Sequence, residues 1–129
     1  MVDASSLAAL ASRFVDTGSL PWVETGPGSK MKVIYHDPAS GMLTILGKLE
    51  PGAGIPPHVH EDLEQTFVLE GSLVDEQGAV TAGNFVWRPG GNTHIAHAPN
   101  GCVIISFFTK PNKFFDDVLW FPDLAKEKK

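Results

Sequence analysis

Three histidines and a glutamate in this 129-residue chain are spaced to share one metal ion: His58, His60, Glu64 and His94. Imidazole and carboxylate together suit divalent Fe, Mn, Ni, Co and Zn. His58 and His60 stand two apart. In a strand, such residues leave the same face, about 7 Å apart at the backbone. Glu64 keeps the same parity after the short turn Glu61-Asp62-Leu63. His94 comes from a distant segment, brought in by the turn Pro89-Gly90-Gly91. A six-coordinate ion on these four groups keeps two positions for water, substrate or O₂. That arrangement serves dioxygenation of a carbonyl substrate, because the ion acidifies a bound enol. Four-coordinate zinc would be nearly closed, which fits structure or sensing better. The sequence leaves the identity of the metal open.

Other polar residues are weaker candidates. Glu61 and Asp62 are rival carboxylates, expected in a solvated loop. His97 has the opposite parity to His94, so it is expected outside the ligand set, as a supporting donor or at the mouth of the site. His36, beside Asp37-Pro38, reads as a turn residue. Arg88 precedes Pro89. Facing inward it would pair with an anionic substrate, and facing outward it would be a surface or dimer contact, which is the expectation. Ser72, Ser106 and Cys102 have no nucleophile context, and Cys102 in an apolar run reads as a packing thiol. Phe67, Phe85, Trp87, Phe107 and Phe108 are either a pocket wall or barrel core, with core expected for most.

The elements that must carry these residues are short. The chain has 13 glycines and 10 prolines, spread along its length and punctuating apolar runs. That is the style of many strands joined by tight turns. Strands are predicted at Met31–Tyr35, Met42–Leu49, Gln65–Leu69, Leu73–Val74, Ala79–Thr81, Asn84–Arg88, His94–Ala98 and Cys102–Thr109. The last is nearly all apolar and reads as buried on both faces. Turns are predicted at Asp37–Gly41, at Asp75-Glu76-Gln77-Gly78 and at Asn100-Gly101. Both chain ends read as helical. Ser5 or Ser6 caps one helix, with Leu7, Leu10 and Phe14 on one side. Asn112 caps another over about 112–121, with Phe114, Phe115, Val118 and Leu119 at helical spacing and Asp116-Asp117 on a solvated face.

Composition narrows the classes further. With 43% hydrophobic and 19% charged residues the chain is an ordinary globular one. The formal net charge of −5 and the lack of a basic stripe argue against nucleic acid. Lys126, Lys128 and Lys129 read as a solvated tail. No apolar run approaches the roughly 20 residues of a membrane span. The N-terminus lacks a basic region followed by an apolar one, so no secretory signal is expected. A single cysteine, Cys102, fits a reducing, cytoplasmic location.

The spacing of the ligand candidates to nearby glycines and a proline carries a resemblance. Gly52, His58, His60, Glu64 and Gly71 follow the first motif of the cupin superfamily. Gly83, Pro89, Gly91 and His94 follow the second, with Ala98 where an Asn is usual. The chain resembles that superfamily over Gly52 to Ala98. A narrower resemblance rests on Leu20-Pro21-Trp22, on Glu64 to Ser72, on Asp75-Glu76-Gln77-Gly78, on Val86 to Gly91 and on Gly101-Cys102. These segments look like small cupins related to the cupin-like domain of zinc-dependent anti-sigma factors and to acetylacetone-cleaving dioxygenases.

The resemblance implies an all-β, double-stranded β-helix (jelly-roll) barrel with short N- and C-terminal helices. The length of 129 residues favours a single domain over 1–129, with the barrel core at about 30–110. The resemblance also implies one divalent metal ion per chain on His58, His60, Glu64 and His94, and a homodimer formed through sheet edges or exchanged N-terminal strands. The leading functional expectation is an Fe(II)-type dioxygenase acting on a small carbonyl or phenolic molecule. A non-catalytic zinc module, sensory or structural, is the alternative. A sugar isomerase ranks last, since few charged residues fall in the predicted interior.

Overall fold

Short apolar runs broken by glycine and proline bury one face each, so they pair as strands rather than coil as helices. The computed structural model describes residues 12–110 and 113–114. Among them lie β1 (Val23–Gly26), β2 (Ser29–His36), β3 (Leu43–Leu49), β4 (Gly54–Val59), β5 (Glu64–Asp75), β6 (Gly78–Thr81), β7 (Phe85–Arg88), β8 (Thr93–His97), β9 (Cys102–Phe108) and β10 (Lys113–Phe114). Every pairing is antiparallel. One layer runs β1-β2-β3-β9-β5-β7 and the other β6-β5-β8-β4-β10. The result is the jelly-roll barrel expected from the sequence.

β5 belongs to both layers, and Gly71 is where it passes between them. Its φ is +75°, and a Cβ there would lie 1.9 Å from the Gly101 carbonyl oxygen. No side chain fits, so glycine lets β5 cross without ending. The sequence alone suggests two strands here, Gln65–Leu69 and Leu73–Val74, parted at Gly71. The structure makes it one strand of 12 residues.

The core lies between the layers in two groups. Leu49, Val68, Val80, Ala98, Cys102 and Ile104 form one, and Met31, Leu43, Ile45 and Phe108 the other. Each large side chain taken from water contributes about 1.5–3 kcal/mol. Cys102 is a free, buried thiol, and burial pushes its pKa up to about 11, which leaves it unreactive as expected.

Three expectations are corrected. Lys113 and Phe114 do not begin a helix. They form β10 and pair with Val59 and His58, satisfying backbone groups along the edge of β4. The rest of that helix, and Ser5 to Leu10 of the N-terminal one, lies outside the described residues. Phe14 is in no helix and is fully exposed. The helical turn that is present among the described residues is a 3₁₀ turn at Thr17–Ser19, where Asp16 Oδ1 accepts from the Gly18 amide.

Second, β9 is not buried on both faces. Cys102, Ile104, Ser106 and Phe108 point in, while Val103, Ile105 and Phe107 point out. Third, of the five aromatics read as core or pocket wall, only Phe108 is core. Phe67, Phe85, Trp87 and Phe107 are exposed on the outer face of the first layer. Period-2 alternation decides this. Phe67 has odd parity on β5, opposite to the buried Thr66 and Val68. The N-terminal segment covers part of the same layer. There Lys32 Nζ donates to the Thr17 carbonyl at 2.8 Å and lies 4.8 Å from the Trp22 ring centroid. No described helix is long and apolar enough to cross a membrane.

Candidate metal centre

Strand register brings the histidines together. His58 on β4 and His94 on β8 are direct cross-strand partners, so their side chains rise side by side. His60 lies one residue past β4. Its amide donates to the Asn92 carbonyl and its carbonyl accepts from the Gly91 amide, which ties it to the turn that leads into β8. The i, i+2 relation therefore survives the strand end. Ring centroids stand 5.1 Å apart for His58 and His60, 5.0 Å for His60 and His94, and 6.4 Å for His58 and His94. All three side chains are buried, at 5%, 1% and 2% exposure respectively.

Glu64 reaches the group from the start of β5. Its Oε1 lies 3.0 Å from His60 Nδ1, and its Oε2 accepts from Thr66 Oγ1 at 2.9 Å. Thr66 Oγ1 in turn lies 2.7 Å from Ser106 Oγ on β9. Two buried hydroxyls thus fix the carboxylate from the inner face of the barrel.

The electrostatics keep His58 and His60 neutral. Burial lowers the His60 pKa to about 3, helped by the neighbouring His58, His94 and Arg88. Burial also lowers that of His58, against a raising contribution from its bond to the Pro56 carbonyl. The His58 Nδ1 lies 2.9 Å from that carbonyl oxygen. As donor there, His58 keeps Nε2 as its lone pair, the arrangement usual for a metal-binding imidazole.

A test of fit comes from His60. Neither of its ring nitrogens makes a hydrogen bond, although both are buried; the contact with Glu64 lacks hydrogen-bond geometry. Leaving such a group unsatisfied in a protein interior costs about 1–3 kcal/mol. A cation beside it removes that cost. The ligand atoms of His58, His60 and Glu64 all lie within 4.8 Å of one another, as one ion requires. The donor set fits a divalent metal.

His94 stands apart in one respect. Its Nδ1 lies 2.7 Å from Glu76 Oε1 and 3.2 Å from Asp75 Oδ2, and these three residues form a second cluster of possible ligands. Its Nε2 lies 3.3 Å from Arg88 Nη1. Arg88 is also paired with Asp75 through Nη2, and Nη1 donates to Gln77 Oε1 at 3.2 Å. Arg88 therefore faces inward, correcting the expectation of an outward side chain. It ends β7 at even parity with Val86, and its partner Asp75 is only 2% exposed. A surface hollow is lined in part by Asp75, Gln77, Phe85, Val86 and Arg88, and by none of the four candidate ligands.

The remaining candidates are not brought in. Glu61, Asp62 and His97 are exposed. His97 pairs through its backbone with Gly54 and Val74 and points away from His94, as its parity implies. Sequence reasoning missed Asp75, Glu76 and Ser106. The first two read as an ordinary hairpin turn, and Ser106 as part of an apolar strand.

Comparison with known proteins follows the same lines. The family described as the ChrR cupin-like domain matches residues 11–112. No curated protein matches the chain. Among solved structures, an RmlC-like cupin from Ralstonia eutropha JMP134 superposes with a TM-score of 0.78 at 18% identity, covering 86% of this chain and 76% of that one. An acetylacetone dioxygenase from Acinetobacter johnsonii gives 0.76 at 18% identity, covering 83% and 80%. Rhodobacter sphaeroides SigE in complex with the anti-sigma ChrR gives 0.63 at 22% identity, covering 70% of this chain and 49% of that one. At these identities the likeness is one of fold.

Proposed function

Because the chain belongs to the ChrR cupin-like family, we propose that it binds one divalent metal ion through His58, His60, Glu64 and His94 and acts as a dioxygenase on a small carbonyl or phenolic substrate. The observation that carries the metal reading is the buried His60 ring with two unsatisfied nitrogens, between two other imidazoles and a carboxylate. Iron, as the resident ion, would supply Lewis acidity toward a bound enolate and redox chemistry toward O₂. The chain's own part is to hold the donors. Burial keeps His58 and His60 unprotonated, Thr66 and Ser106 orient Glu64, and Arg88, beside His94, offers a hydrogen-bond donor to a substrate oxygen.

Metal analysis of protein purified without added metal, followed by O₂ uptake with Fe(II) and a panel of β-diketones, hydroxy-ketones and phenols, tests the reading. Uptake that depends on both iron and substrate supports it. Bound iron with no uptake across the panel overturns the dioxygenase part. Near-complete burial of the three imidazoles favours a second reading, a zinc module of sensory or structural kind. Zinc as the resident metal, with no turnover, would select it.

The partner we propose is a second copy of the chain, seated on the outer face of the first layer. Phe67, Leu69, Phe85, Trp87 and Phe107 lie there on adjoining strands, with Phe67 opposite Phe85 and Gln65 opposite both Trp87 and Phe107. They expose roughly 500 Å² of apolar side chain, against about 800 Å² per partner in a stable interface. These residues are uncharged, which suits a self-complementary, two-fold contact. Light scattering should give a dimer, and Trp87→Glu a monomer. A monomeric wild type overturns the proposal.

A further inference from the structure

The hairpin that joins β5 to β6 touches the candidate centre from outside the ligand set. Its two-residue turn is Glu76-Gln77, with Asp75 and Gly78 paired across its base. Asp75 Oδ1 accepts from the Gln77 and Gly78 amides at 2.8 and 3.2 Å, which sets the turn. Glu76 then folds back over β8. Its Oε1 lies 2.7 Å from His94 Nδ1, and its Oε2 accepts from the Ile95 amide at 3.3 Å. One carboxylate thus grips both the side chain of His94 and the backbone beside it.

His94 Nδ1 has one proton to give and two carboxylates within reach. Glu76 is closer by half an ångström, and Asp75 Oδ2 is already engaged by Arg88. So His94 Nδ1–H donates to Glu76, and the lone pair of His94 is left on Nε2. Arg88 Nη1 stands 3.3 Å from that nitrogen, held by Asp75 and Gln77. A carboxylate on the far N–H of a metal-binding imidazole fixes its tautomer and orientation and strengthens it as a donor.

We propose that Glu76 is the positioning residue for His94 as a metal ligand, so that an exposed hairpin turn sets the affinity of a buried site. This rests on the metal reading above. When His94 Nε2 is given to an ion, Arg88 gives up its Nη1 contact with that nitrogen and keeps Asp75 through Nη2 and Gln77 through Nη1. The carboxylate does not itself ligate.

The test uses the full chain, metal-free, titrated with Co(II) and followed by its visible absorption, with Zn(II) competition against a chelator for affinity. Glu76→Ala should weaken binding about 10–100-fold and change the Co(II) spectrum, while the melting of the metal-free protein stays close to wild type. Glu76→Gln, which keeps an acceptor but no charge, should fall between the two. It also keeps the test decisive if the alanine variant folds poorly. Wild-type affinity and spectrum in both variants overturn the proposal while leaving the metal reading standing. Binding that survives His60→Ala but is lost in Glu76→Gln also overturns it, since the ion would then sit on the carboxylates. Failure of wild-type protein to bind either metal is a different result. It removes the metal reading and the proposal together.

Discussion

A buried imidazole without hydrogen bonds makes the metal-free protein sensitive to mild acid. His60 titrates near 3 in the folded chain, against 6.5 for an ordinary histidine. Between those values the unfolded chain binds a proton that the folded chain refuses, so stability falls as pH falls. At pH 7.5 neither state is much protonated at this ring. At pH 5 the unfolded ring is almost fully charged and the folded one is not, a difference of about 2 kcal/mol. For a chain of this length that corresponds to a fall in Tm of roughly 8 °C. His58 is shifted in the same direction and adds to it.

The window separates this effect from the carboxylates. Asp37 is lowered from 3.8, chiefly by its bond to Ser40, and Glu76 from 4.5, chiefly by its bond to His94. Stability from such groups is fully present above their unfolded pKa and is lost only as pH falls through the folded one. Both therefore stay mostly ionised in either state above pH 5. The assay is calorimetric or circular-dichroism melting of chelator-treated protein from pH 7.5 to 5, alongside His60→Gln, which should flatten the slope. A Tm that is level or rising toward pH 5 in the wild type refutes the reasoning.

Four further variants have defined outcomes. His60→Ala should abolish stoichiometric metal in elemental analysis, since it removes the ligand between the other two imidazoles, while leaving a folded barrel by circular dichroism. Thr66→Val removes the donor to Glu64 and should lower metal affinity several-fold in chelator competition, with little change in the far-ultraviolet spectrum. Gly71→Ala should destabilise by well over 2 kcal/mol or prevent folding, because its Cβ meets the Gly101 backbone at 1.9 Å; Gly52→Ala, with φ +85° but open space, should cost about 1 kcal/mol in urea melts.

The fold and the gathering of the three imidazoles beside Glu64 were legible because both depend on period-2 parity and turn chemistry, which are local. His58 and His60 share parity, the Pro89 turn sets the entry to β8, and Pro51-Gly52 and Asn100-Gly101 fall between strands. What was not legible depends on which of two similar faces is covered. Cys102–Thr109 is apolar at nearly every position, so the run itself does not reveal that Phe107 faces out. Only its pairing does, with Thr44 on one side and Gln65 on the other. The C-terminal segment fails for a related reason. Helical spacing of Phe114 and Phe115 with Val118 and Leu119 is a local signal, whereas the open edge of β4 is a tertiary one, and at Lys113 and Phe114 the edge wins.

The support around His94 was hidden by the turn that carries it. Asp75-Glu76-Gln77-Gly78 has the composition of any solvated hairpin, and an Asp that caps a two-residue turn needs no further explanation. Yet three of its side chains also act elsewhere: Asp75 on Arg88, Glu76 on His94 and Gln77 on Arg88. The reason is topological. β5 crosses into the second layer at Gly71, which carries its far end alongside β8, where Val74 pairs with His97. A strand ending at Gly71, as the sequence implied, would leave this turn nowhere near the histidines. The glycine that lets β5 continue is thus also what delivers Glu76 to His94, and a lesion at Gly71 should disturb the centre as well as the barrel.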